Sequence, residues 1–106
     1  MAPERRIAVC ALGSNSFRLV VFTAAEGWWR RTDEIHEPVR IGAGLAETGR
    51  LSEDGIARGL ATAEVFAHFC AATGITEIDA VATSAIRDAT NAEEFLSAAA
   101  LPVRVL

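Results

Sequence analysis

The strongest pattern along the chain is a pair of apolar runs, Ile7–Leu12 and Phe17–Phe22, separated by Gly13-Ser14-Asn15-Ser16. Short apolar runs rich in Val and bounded by turn residues predict strands, here Ile7–Leu12 and Phe17–Thr23. The linker opens with Gly and is polar throughout, which predicts a β-hairpin turn. Ile7–Leu12 is apolar at every position, as expected of a central strand covered on both faces. Ala25-Glu26-Gly27 makes the next turn, and a third strand is predicted over Trp28–Ile35. Its Arg30, Arg31, Thr32, Asp33 and Glu34 suit a sheet edge, and Pro38 limits further ladder pairing.

The period then changes. From Ser52 to Thr73 the apolar residues Ile56, Leu60, Ala63, Ala67 and Cys70 recur at helical spacing, widened by Phe66 and Phe69, and predict a buried helix face. Ser52 is a good N-cap, Glu53 and Asp54 suit the positive end of the helix dipole, and Gly74 is the expected stop. Leu51 and Ile56 stand where a hydrophobic staple would place them. A fourth strand is predicted over Glu77–Thr83, a second helix from Asn91 to about Ala99, and a fifth strand over Val103–Leu106 after Pro102. Asn91 and Glu94 have the spacing of a capping box. The resulting order is β-β-β-α-β-α-β, an α/β domain.

Ile41–Leu51, reading IGAGLAETGRL, is glycine-rich. It could be a phosphate loop or a mobile crossover into the helix. The crossover is the expectation, because no strand-to-helix dinucleotide fingerprint is present. Arg40 and Arg50 flank it and could face solvent or substrate.

Composition narrows the class. At 106 residues with 51% hydrophobic and 23% charged residues, the chain reads as one small folded domain. Its net charge of −4 argues against nonspecific nucleic-acid binding, which needs a basic face. All ten basic residues are Arg, so no P-loop lysine exists. Cys10 and Cys70 stand alone, without a CxxC or metal-ligand cluster, and are expected as buried free thiols of a reducing cytoplasm. No apolar stretch is long enough to span a membrane, and MAPERR lacks the features of a secretory leader. Trp28 and Trp29 are expected as packing or partly exposed turn residues, and His36 and His68, without partners, as ordinary neutral histidines.

Candidate chemistry gathers at two places. The Gly13, Ser14, Asn15, Ser16 turn offers backbone N–H groups and hydroxyls together, a cradle for a phosphate oxygen. Arg18, two residues on, could clamp the same oxyanion. In an open α/β sheet, ligands gather at the carboxyl ends of parallel strands. Ser84–Asp88, after the fourth strand, therefore joins the turn, with Ser84 and Arg87 as further candidates. For Arg87 a salt bridge to Asp88 or a solvated side chain is the alternative. No nucleophile–base pair is present, since Ser16 and Arg18 do not form one.

LGSNSFRLVV, then VRIGAGLAETGRLSEDGIARGL over Val39–Leu60, then ATSAIRDATNAEEFL over Ala82–Leu96, resemble in order and spacing the exopolyphosphatase/guanosine pentaphosphate phosphatase (Ppx/GppA) family of the actin-like ATPase superfamily. The resemblance implies a ribonuclease-H-like half-domain, residues 1–106 being the first of two, with a five-stranded mixed sheet in which the first strand is central and parallel to the fourth and fifth. It implies a hydrolase releasing terminal phosphate from inorganic polyphosphate or guanosine pentaphosphate with Mg²⁺, and a role for Arg87 in contacting the phosphate chain. Two departures bear on activity. The family usually has Asp two residues before the loop Gly, where this chain has Ala11. The resemblance also places the catalytic glutamate, most metal ligands and the second phosphate loop beyond Leu106. The chain alone is therefore expected to be inactive, with no catalytic residue of its own. The alternatives are a module that binds polyphosphate or nucleotide without cleaving it, and a half-domain that serves in folding or as a homodimer.

Overall fold

The computed structural model describes residues 4–106. Strands β1 (Arg5–Leu12), β2 (Phe17–Ala25) and β3 (Trp28–Glu37) form an antiparallel meander. A helical turn α1 (Leu45–Thr48) precedes the long helix α2 (Glu53–Thr73). Strand β4 (Glu77–Ala82), short helices α3 (Ser84–Asp88) and α4 (Ala92–Leu96), and strand β5 (Val103–Val105) complete the chain. The sheet order is β3-β2-β1-β4-β5. β1 is central and pairs parallel with β4, which pairs parallel with β5. The five-stranded mixed sheet and the edge position of β3 agree with the sequence.

The pleat divides the sheet into unequal faces. Ala8, Cys10 and Leu12 of β1 and Phe17, Leu19 and Val21 of β2 are buried under the helices. Their alternates are not: Ile7, Val9, Val20 and Phe22 are half-buried, as is Val81 of β4, and Ala11 is exposed. β1 is thus covered on one face only, contrary to the reading of its unbroken apolar run. An unbroken apolar run cannot show which face has a covering layer.

The face of α2 against the sheet also differs from the apolar periodicity. Its buried residues are Gly55, Gly59, Ala63, Phe66 and Cys70, while Ile56, Leu60, Ala67 and Phe69 pack around the margin. The two glycines let the first half of the helix approach closely. A Cβ at Gly59 would meet Phe95 Cε1 at 2.9 Å and Ile41 Cδ1 at 3.1 Å. Phe95 in turn packs edge-on to Phe17, with ring centroids 6.0 Å apart. Each of the fully buried rings Phe17, Phe66 and Phe95 contributes about 1.5–3 kcal/mol of transfer free energy. Both helix ends follow the sequence: the Ser52 hydroxyl accepts from Gly55 N–H at 3.0 Å, and Gly74 ends the helix in the left-handed region at φ 74°.

Three further expectations are corrected. Asn91 is not a capping box: its amide oxygen accepts from Leu51 N–H at 2.7 Å, and its nitrogen donates to Leu51 C=O at 3.0 Å and to Glu94 at 2.7 Å. The helix it begins stops at Leu96, short of Ala99. Ser84–Asp88 is a helix rather than a loop, too short to leave a periodic signal.

Candidate phosphate-binding site

The hairpin turn between β1 and β2 closes with Gly13 N–H donating to Ser16 C=O at 3.0 Å. The carbonyls of Ser14 and Asn15 are then taken by the glycine-rich segment, accepting from Gly42 N–H at 3.1 Å and Arg40 N–H at 3.0 Å. With its carbonyls engaged on one side, the turn keeps its donors free. Among the described residues, no protein oxygen accepts from the N–H of Ser14, Asn15 or Ser16. Consecutive free backbone donors form a concavity suited to an anion.

The glycine-rich segment is the crossover from β3 to the helices, held by hydrogen bonds at both ends. It is pinned to the turn at its start and to the α3–α4 region at its end, where Thr90 N–H donates to Gly49 C=O at 2.9 Å and Asn91 holds Leu51. Gly42 is required by the close approach, since a Cβ there would lie 3.3 Å from both Ser14 Cβ and Ala85 Cβ. An open cavity of about 470 Å³ lies between this segment and the turn, lined by Ser14, Asn15, Ser16, Pro38, Arg40, Gly42 and Ala43. The lining has one guanidinium and no carboxylate.

The carboxyl ends of β1 and β4 meet as the topology requires. Thr83 N–H donates to Leu12 C=O at 3.3 Å, and Ser14 Oγ lies 3.2 Å from Ser84 Oγ. Gly13, Ser14, Asn15, Ser16 and Ser84 are therefore brought together. Arg18 and Arg87 do not line the cavity. Arg18 points to the uncovered sheet face, opposite Ala11, with its Nε 3.4 Å from Glu34. Arg87 donates to Asp88 through Nε at 2.9 Å. This hydrogen bond and the paired charges raise the Arg87 pKa above its ordinary value and lower that of Asp88. The side chains of both arginines are about half exposed, so each pair contributes little to stability.

Among the described residues, no three His, Cys, Asp or Glu side chains cluster as metal ligands, and Ala11 offers no oxygen. The Mg²⁺ that the resemblance implies has no fitting ligand set in these residues, and no step is assigned to it. Cys10 and Cys70 are buried free thiols. Burial, with Cys70 and Asp79 nearby, pushes the Cys10 thiol up to about 12, so it stays protonated at neutral pH. No described helix is long and apolar enough to cross a membrane.

This is a mixed-sheet α/β half-domain of the actin-like ATPase type, with backbone donors and two serine hydroxyls gathered at the carboxyl ends of its parallel strands. The profile of the Ppx/GppA phosphatase family matches residues 20–104, and the chain belongs to that family. A Haemophilus influenzae protein described as a candidate exopolyphosphatase is 32% identical over 96 residues, spanning 91% of this chain and 30% of that protein. The crystal structure of the Aquifex aeolicus Ppx/GppA family member superposes with a TM-score of 0.93 at 33% identity, over 98% of this chain and 35% of that one. An exopolyphosphatase from Cytophaga hutchinsonii shares the fold, with a TM-score of 0.87 at 23% identity over 96% of this chain and 34% of its own. The chain thus spans about a third of the length of these relatives. The profile match begins after the Gly13–Ser16 turn.

Proposed function

We propose that this chain is the phosphate-binding first half-domain of a phosphatase that removes terminal phosphate from inorganic polyphosphate or guanosine pentaphosphate. The observation that carries the reading is the meeting of Ser14 and Ser84, hydroxyls 3.2 Å apart, beside three free N–H groups in a cavity without carboxylates. Phosphoryl transfer asks a protein mainly for positioning and for charge stabilisation on the non-bridging oxygens. Ser14, Asn15, Ser16 and Ser84 supply neutral donors to those oxygens. Arg18 and Arg87, after exchanging Glu34 and Asp88 for phosphate, supply charge. No residue lining the cavity can act as a base for the attacking water. The base, the Mg²⁺ ligands and the facing half-domain are assigned to the part of the relatives that this chain does not span, and the chain alone binds without cleaving. The cytoplasm is the compartment that suits its two free thiols.

Phosphate release from polyphosphate and pppGpp with Mg²⁺ tests this. The chain would be assayed alone and supplied with the part of the Haemophilus influenzae relative it does not span, each with Ala11 and with Ala11→Asp. Activity only in the supplemented samples is expected. Silence in every sample removes the hydrolase reading. A second reading, self-association, is favoured by the half-buried Val9, Val20, Phe22 and Val81 on the uncovered sheet face. A monomer by light scattering at high concentration would contradict it.

A further inference from the structure

We infer that Arg40 is an additional anion-binding residue of this cavity, engaging a phosphoryl group next to the one held by the Ser14–Ser16 turn, so that the site favours a linear phosphoanhydride chain over a single phosphate. The inference rests on the phosphate reading of the turn given above.

The backbone provides the first observation. Arg40 has φ 53°, the one positive φ at a non-glycine position among the described residues. A Cβ crowds the backbone in this region, and glycine enters it freely. The neighbouring segment already uses glycine for this purpose at Gly44 and Gly49. Nothing in the backbone hydrogen bonding of position 40 calls for an arginine. Its N–H donates to Asn15 C=O at 3.0 Å, and its carbonyl accepts from Ala43 N–H at 3.1 Å. Arg58 steadies the same stretch from α2, donating through Nε to Val39 C=O at 2.8 Å. A glycine would keep the two bonds of position 40 and remove the strain. Persistent strain at a cavity wall points to a role for the side chain.

Charge pairing provides the second. Six of the ten arginines meet a carboxylate. Arg6 and Arg58 donate to backbone carbonyls, and Arg30 lies 5.4 Å over the Trp28 ring. Among the described residues, Arg40 alone meets none of these. It is also the single charged residue lining the cavity. A guanidinium matches two oxygens of a phosphoryl group at once. Its backbone is tied to Asn15, and the length of the side chain would let the guanidinium engage a phosphoryl group beyond the one at the turn.

The test is calorimetric titration of the chain with tripolyphosphate and with orthophosphate, together with thermal unfolding, for the wild type, Arg40→Gly and the Ser14→Ala/Ser84→Ala double variant. Arg40→Gly should unfold at a higher temperature, because the strain is gone. It should nevertheless bind tripolyphosphate about tenfold or more weakly, the loss expected for a charged hydrogen-bonding partner, and leave orthophosphate binding little changed. Tripolyphosphate binding unchanged in Arg40→Gly, while the serine variant loses it, would overturn the role of Arg40 and leave the turn as the site. An equal loss for both ligands would overturn the selection for a chain. No binding to the wild type would remove the phosphate reading and this inference with it.

Discussion

A Cβ placed on Gly59 of α2 would stand 2.9 Å from Cε1 of Phe95 on α4. The two residues lock the helical layer together over β2, because Phe95 is fully buried and packed against Phe17. Gly59→Ala should therefore destabilise the protein, although alanine is the better helix former by about 1 kcal/mol. Ile41 Cδ1 at 3.1 Å closes the direction in which the ring would move. Overpacking of this kind costs about 1–3 kcal/mol beyond the propensity gain. Urea unfolding checks this, and a midpoint at or above that of the wild type would show that the layer can spread.

Asn91 mimics a strand neighbour for Leu51, giving and taking one hydrogen bond each. Asn91→Ala leaves a buried N–H and C=O unpaired and should cost about 2 kcal/mol or more. Asn91→Asp keeps the acceptor for Leu51 N–H but loses both donors and faces Glu94. It should be nearly as damaging at neutral pH and partly rescued near pH 4, where the introduced aspartate takes up a proton. Denaturation of the three proteins at both pH values measures this.

Alkaline pH should unfold the protein through its thiols. The Cys10 pKa is raised from 9.0 to about 12 in the fold, chiefly by burial, and that of Cys70 is raised by burial as well. Above about pH 9 the unfolded chain loses these protons while the folded one keeps them, so stability falls as pH rises. The chain has no Tyr, and its ten basic residues are all Arg, so the thiols are the side chains that titrate between pH 9 and 11. The urea midpoint should decline across that interval, and less steeply in Cys10→Ala. A flat profile in the wild type would contradict the assignment.

Much of the fold was legible because its signals are local. The Gly13–Ser16 turn between apolar runs, the Ser52 cap and the Gly74 stop each depend on a few adjacent residues, and the structure reproduces all three. The convergence of the Gly13–Ser16 and Ser84–Asp88 segments followed from the topology, since parallel neighbours deliver their carboxyl ends to the same edge. The missed features depend on tertiary partners. Gly55 and Gly59 do not register as apolar in a periodicity, yet they form the closest face of α2, because the bulk that fills the contact comes from Phe95 and Ile41. Asn91 and Glu94 have capping-box spacing, but the buried strand-like edge of Leu51 competes successfully for the amide. Arg40 was visible only as a flanking residue, because its left-handed backbone is imposed by Asn15 and Ala43, and its lack of a partner emerges only when every other arginine has been placed.

Amide chemical-shift mapping with tripolyphosphate reads out directly whether the Ser14–Ser16 turn and Ser84 hold phosphate. Saturable shifts are expected, largest at the N–H groups of Ser14, Asn15 and Ser16 and smaller at Ser84, and they should be lost in the Ser14→Ala/Ser84→Ala variant. Shifts centred elsewhere, such as at Arg5 and Arg6 on the opposite end of β1, or none at the turn, would contradict the phosphate reading.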